Sequence, residues 1–451
     1  MTEQGVRWTA DQVLALAPDD ASRRAGSKLG APGPWSGAGC DGRAVWGACK
    51  GSGRTPYRTV VDTTGPAYTC SCPSRKFPCK HALGLLLLWA GDPDGTAVPT
   101  AGEAPDWAGT WLAGRRARAE AARTAADAGP ADPEAARRRA ERRAARITAG
   151  AQELEQRLAD LLRGGLAAAE QAGYGLWEET AARMVDAQAP GLAGRVRELG
   201  AIPGSGPGWP VRLLEECALT HLLDRAWLSA DRLPDPLAAT VRSRVGLSAP
   251  PEGPALRDHW LVLAQYDTAD SRLTTRRIWL HGRGSGRTAL LLSFGAAGRA
   301  PQLALPVGAV LDAELRPYTS GGGLRAELVE QFAPPAPAGP PPQGTPVGAA
   351  LDAYGRALTE DPWLDAWPVT LAHVVPAHAE YGWQLADTDP GPLHREAIPL
   401  TRSAQQHPGL WRLIALSGGA PVSVFGEVGH QGFTPLAAWS PEAPGETVPL
   451  V

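Results

Sequence analysis

The run Tyr68-Thr-Cys70-Ser-Cys72-Pro-Ser-Arg-Lys-Phe-Pro-Cys79-Lys-His81 constrains this chain more than any other stretch. It sets three cysteines and one histidine in twelve residues, spaced C-x-C-x6-C-x-H. Thiolate and imidazole are the donors that suit tetrahedral zinc, and four protein donors make a closed, structural site. Half of the chain's six cysteines lie here. In a reducing compartment such clustering favours a metal over disulfides. The expectation is one structural zinc ion held by Cys70, Cys72, Cys79 and His81.

The flanking residues predict how those donors are held. Tyr57 to Asp62 is rich in Tyr, Thr and Val and reads as a strand, Thr63 to Pro66 as a turn, and Ala67 to Cys72 as the returning strand. Residues two apart on a strand point to one side, so C-x-C presents Cys70 and Cys72 together. Cys79 and His81 fall at the start of an apolar helix that runs through Leu83, Leu85 to Leu88 and Trp89 and stops at Gly91-Asp-Pro93. A thiolate near a helix N-terminus is favoured by the dipole. The predicted unit is a β-hairpin plus helix clamped by zinc.

The C-x-C-x6-C-x-H pattern between a hairpin and an apolar helix resembles a SWIM zinc finger, with all four ligand positions filled. Trp46-Gly-Ala-Cys-Lys-Gly-Ser-Gly53 and the Cys72–His81 stretch are similar to bacterial stand-alone SWIM proteins over roughly residues 5–92. Trp363-Leu-Asp-Ala-Trp-Pro368 and Pro421-Val-Ser-Val-Phe-Gly-Glu427 resemble the same bacterial group more loosely. The resemblance implies a zinc-binding interaction adaptor. Some bacterial members are associated with MoxR-type AAA ATPases and von Willebrand A-domain proteins, and SWIM fingers elsewhere are thought to contact DNA or protein.

Taken in order, the 451 residues suffice for several domains. Residues 1–55 read as a short helix (Ala10 to Leu16) followed by loop-rich sequence punctuated by Gly and Pro, with Trp35 and Trp46 as core anchors. Residues 1–92 are expected to form the finger domain and the Ala/Gly/Pro-rich stretch 93–132 a linker. A helical domain is expected over 133–250, opening on a long helix from Pro133 to Gly164. Further helices are predicted at 166–171, 176–189, 192–199 and 211–230.

Residues 251–451 read as mainly antiparallel β, with a proline-rich break near 334–346. Strands are predicted at 259–266, 273–280, 288–294, 302–305, 311–318, 367–374, 383–387, 411–417 and 422–428, with a helix at 347–359. The fold class expected is therefore α+β and multidomain: a small zinc-clamped ββα module, a helical middle region and a β-rich C-terminal half.

The formal net charge of −3 carries no global commitment to nucleic acid or anionic membrane. Locally, Cys40 to His81 holds seven basic residues against two acids, and three of the chain's four lysines. Three thiolates and a neutral imidazole leave bound zinc one negative charge, so some of these cations offset the site. Lys50, Arg54, Arg58, Arg75, Lys76 and Lys80 form the candidate surface for a protein partner or, alternatively, for DNA phosphates. The arginines between 137 and 146 lie on a predicted helix that also carries Glu134, Glu141, Glu153 and Glu155, and they read as a solvated helix face.

Other signals are weaker. Cys40, Cys49 and Cys217 read as small buried hydrophobes. Gly282-Arg-Gly-Ser-Gly286 has no lysine and no following helix, so it reads as a hairpin loop. His373, His378 and Glu380 lack H-E-x-x-H spacing, and Pro376 interrupts any shared helix. No catalytic motif is present; the finger's full coordination shell argues against catalysis there, and an unrecognised enzyme in the β-rich half is the remaining alternative. Residues 1–30 lack a basic segment followed by a long apolar run, and Ala82 to Gly91 is about half a membrane span. No membrane association and a cytoplasmic location are expected.

Overall fold

A computed structural model describes residues 8–451 except 52, 65–66, 75, 77, 102, 129–131, 168, 170–172, 248–249, 252, 270–272, 297–300, 302, 319–320, 334, 337–338 and 389–395. The chain is α+β and multidomain, with its apolar residues gathered into several cores.

The N-terminal unit is built on a four-stranded antiparallel meander: β1 (Trp35–Cys40), β2 (Ala44–Cys49), β3 (Tyr57–Asp62) and β4 (Ala67–Cys70). Helices α1 (Ala10–Ala15), α2 (Asp20–Ser27) and α3 (Lys80–Ala90) complete it. Thr9 and Gln12 form a capping box that starts α1, and Asp19 caps α2 through the Ser22 amide at 2.7 Å. Leu83, Leu85 and Leu86 of α3 are fully buried with Trp8, Val13, Val45 and Val61.

The expectation of loop-rich sequence after α1 is corrected by α2, β1 and β2. Two glycines of this stretch, Gly39 and Gly47, are packing notches. A Cβ at Gly39 would lie 3.0 Å from the indole nitrogen of Trp46, and one at Gly47 would lie 3.0 Å from the Trp35 ring and 3.1 Å from Leu85. Tryptophan bodies lie across backbone there, and only glycine leaves them room.

Within the stretch read as a linker, α4 (Asp106–Ala128) forms, and its Ala108 and Leu112 pack with Ala44, Trp46 and Val60 on the other face of the meander. The apolar pair recurs four residues apart, which places both on one helix face.

The helical region comprises α5 (Pro133–Gly164), α6 (Gly173–Asp186), α7 (Pro190–Ala201), α8 (Trp209–Leu228) and α9 (Asp235–Val245). Asp132 caps α5, and Pro133 opens it with a preset φ. Ile147, Ala151, Leu154 and Leu158 recur at helical spacing and form one buried stripe of α5. The helix read at 166–171 lies partly outside the described residues.

The remaining chain forms two β units. Strands β5 (Leu256–Ala269), β6 (Leu273–Gly282), β7 (Thr288–Ala296), β8 (Val310–Pro317) and β9 (Arg325–Gln331) close a barrel in the order β5-β6-β7-β9-β8. Its pairings are antiparallel except β7 with β9.

A six-stranded antiparallel sheet follows, ordered β12-β11-β10-β13-β14-β15. Its strands are β10 (Ala366–Ala379), β11 (Gly382–Asp387), β12 (Ala397–Pro399), β13 (Val422–Gly429), β14 (Gly432–Trp439) and β15 (Val448–Pro449). Helices α10 (Val347–Glu360), α11 (Arg402–Gln406) and α12 (Gly409–Ser417) accompany it.

Two strand expectations fail. Residues 411–417 lie in α12, because Leu410, Leu413 and Ser417 bury a helical stripe while Trp411 stays exposed. Of 302–305, residue 302 lies outside the described residues and 303–305 are irregular, with Ala304 inserted into the core of the N-terminal unit and Leu305 into the barrel. That split burial fits a connector between two units better than a strand.

Candidate metal centre

Four donor residues converge where β4 ends and α3 begins. Cys70 closes β4, Cys72 lies just past it, Cys79 is the N-cap of α3 and His81 its second residue. The strand predicted through Cys72 stops at Cys70, so a bend rather than strand alternation brings the second thiol round. Cys79 and His81 are buried and Cys70 and Cys72 half-buried. Their ligand atoms all lie within 4.8 Å of one another, and Cys70 Sγ is 3.7 Å from His81 Nδ1. Zinc–sulfur and zinc–nitrogen bonds of about 2.3 and 2.0 Å in a tetrahedron put donor atoms roughly 3.5–3.8 Å apart. The donor set fits one zinc ion.

The protonation of the group points the same way. Hydrogen bonds from Cys70 and Cys79 drive the Cys72 thiol far down, while hydrogen bonding to Cys70 and Cys72 drives the Cys79 thiol far up. Burial lowers His81, but its contacts with Cys70 and Cys72 outweigh that and raise it to about 9. The opposite shifts follow from hydrogen bonds that the neighbouring thiols make to one another. A divalent cation satisfies all four at once, which is the physical sense of a zinc cluster.

The neighbours orient the donors. The Thr59 hydroxyl on β3 lies 3.2 Å from Cys70 Sγ, and the register pairs those two residues directly. Tyr57 stacks against the His81 ring at 4.8 Å between centroids. Partners of this kind fix ligand geometry. Sequence spacing alone missed both residues, since finding them needs the pairing of β3 with β4 for Thr59 and the packing of α3 on β3 for Tyr57. Cys40 and Cys49 stay outside the cluster: Cys40 Sγ faces the Val98 carbonyl at 3.8 Å, and Cys49 is buried on β2 with its thiol pushed up by burial and by Cys70. Cys217 is buried in α8.

The basic residues around the finger separate into engaged and open side chains. Lys76 donates to Asp19 at 2.6 Å, and that hydrogen bond, with the Ser22 amide, holds Asp19 at about 2. Arg58 lies over the Trp107 ring of α4 at 5.8 Å. Lys50, Arg54 and Lys80 are exposed, and Arg75 lies outside the described residues. His378 packs edge-on against Trp383, and no metal cluster forms around it or His373 among the described residues.

A closed Cys3His cluster between a β-meander and an apolar helix, followed by a helical bundle, defines a zinc-finger protein whose metal is structural. Residues 57–90 match the SWIM zinc finger model, and residues 142–245 match the SWIM-associated four-helix bundle domain. Together the two matches support a SWIM zinc finger family protein, and with the donor cluster they support one bound zinc ion. No curated protein and no solved structure matches the chain. No helix among the described residues is long and apolar enough to cross a membrane.

Proposed function

We propose that the protein is a zinc-structured interaction adaptor whose partner is another protein. The observation that carries this reading is the closure of the site. Four protein donors within 4.8 Å fill a tetrahedral shell and leave zinc no position for a reacting water. The metal then serves to hold β4 against α3, and the finger offers a fixed surface rather than chemistry. Two of its cations are committed within the chain, Lys76 to Asp19 and Arg58 to Trp107, which weakens a purely phosphate-binding role. The resemblance to bacterial stand-alone SWIM proteins directs the search to an AAA-type MoxR ATPase or a von Willebrand A-domain protein. Affinity capture from native lysate with the zinc-loaded chain tests this. Recovery of such an ATPase or A-domain protein, lost with a Cys72→Ser, Cys79→Ser double variant, is the expected result; recovery of neither contradicts it.

A DNA-binding reading is favoured by the exposure of Lys50, Arg54 and Lys80 around the finger. It requires affinity that falls with rising salt and that is lost on reversing the charges of Lys50, Arg54 and Lys80 together. Affinity that survives that reversal rules this surface out.

A further inference from the structure

A cleft of ≈ 490 Å³ opens where α9, the outer face of the barrel and the C-terminal sheet meet. The pairing register builds its floor and one wall. Arg277 and Trp279 stand two apart on β6, opposite Leu292 and Leu290 of β7, and Leu290 in turn pairs with Arg325 of β9. Period-two alternation puts these side chains on one face, so an apolar floor lies beside two guanidinium groups. Among the described residues neither Arg277 nor Arg325 joins an ion pair; Arg277 interacts with the hydroxyl of Tyr266, its partner across the β5–β6 register, and its buried Nε has no hydrogen-bond partner. Arg325 stacks on the Tyr318 ring at 4.3 Å.

The C-terminal sheet contributes the other sign. Asp365, just before β10, and Glu427 of β13 line the cleft from the C-terminal sheet. Glu427 is held in place because the Tyr266 hydroxyl and the Trp279 indole both donate to its Oε1, at 2.8 and 2.9 Å. Burial, and then the Glu427 charge, push Tyr266 up, so it remains a donor. On the third wall Arg244 of α9 is matched by Asp361, which closes that side without adding net charge.

We infer that this cleft binds a small zwitterion with a flat apolar body. The anionic group faces Arg277 and Arg325, the cationic group faces Asp365 and Glu427, and the body lies along Trp279, Leu290 and Leu324. A simple anion meets two carboxylates here and a simple cation meets two arginines; a molecule with both charges matches both sets of groups. The volume lies within the roughly 300–1,000 Å³ of small-molecule sites, and the junction of units is where such sites are commonly built.

The test is calorimetric titration of the zinc-loaded full chain with L-tryptophan, tryptamine and indole-3-propionate, the last two each lacking one charge. The expected result is saturable binding of one L-tryptophan per chain, with both analogues weaker by about tenfold or more. Arg277→Ala and Asp365→Asn each weaken L-tryptophan binding to a similar degree. Leu324→Trp, which fills the cleft without altering its charges, abolishes binding while zinc content and melting temperature stay those of the wild type. Absence of L-tryptophan binding, equal affinity for a single-charge analogue, or undiminished binding by Leu324→Trp overturns the inference. The comparison of the three ligands uses the wild-type chain, so it decides the matter even where a variant folds poorly.

Discussion

Asp224 of α8 shows how a single side chain sets a property of its domain. It is fully buried, and neither carboxylate oxygen has a hydrogen-bond partner among the described residues. Burial, with a smaller contribution from Glu155, raises it from 3.8 to about 8. Between those values the folded chain keeps a proton that the unfolded chain has released, so stability falls as pH rises through that window and levels off above it. Asp224→Asn therefore gains little at pH 4 and gains a few kcal/mol at pH 8, at about 1.4 kcal/mol per pH unit of window. Denaturant titrations of both chains across that range measure the effect, and a pH-independent difference would refute it. The metal donors are the opposite case at the same scale. Cys70, Cys72, Cys79 and His81 lie within one short segment, so their chemistry is legible without the fold. Thr59 and Tyr57, eleven or more residues upstream, are not, because only the register of β3 on β4 brings Thr59 to Cys70 and only the packing of α3 on β3 brings Tyr57 to His81.

At the scale of elements, the glycine notches of the meander decide how much could be read in advance. Gly39 and Gly47 look like loop residues in one dimension and turn out to seat Trp46 and Trp35. Substituting Gly47→Val sets branched carbons against Trp35 and Leu85, and overpacking of this kind costs about 1–3 kcal/mol. The predicted outcome is a lower melting temperature for the N-terminal unit; unchanged melting would mean the notch is not needed. The same logic explains where strand and helix were confused. Residues 411–417 begin with Trp-Arg-Leu-Ile, apolar enough for either element, and only the burial of Leu410, Leu413 and Ser417 against the sheet selects a helix. Long helices such as α5 were legible because their apolar stripe repeats many times. Short strands such as β1, and the stagger of Cys72 past β4, depend on tertiary packing.

Across the whole molecule, Trp363 ties the C-terminal unit to the bundle. It is 3 % exposed within the bundle core, and its indole donates to the Leu219 carbonyl at 2.8 Å. The nearby Arg244–Asp361 ion pair joins the same two units. Trp363→Ala is expected to cost about 3–5 kcal/mol, as buried aromatic truncations do, and to expose the 361–368 segment to limited proteolysis. Wild-type stability and wild-type protection would contradict the anchoring role. Likewise, Ala304 reaches from the segment beside the barrel into the core of the finger unit. The zinc site is thus one element of a body of connected units, and its own contribution is to fix α3 on the meander. Elemental analysis of the purified chain, made alongside the Cys72→Ser, Cys79→Ser double variant, tests that claim most directly. One zinc per wild-type chain, lost in the variant together with the stability of the N-terminal unit, is the result expected; no stoichiometric zinc in the wild type, or full retention in the variant, would contradict it.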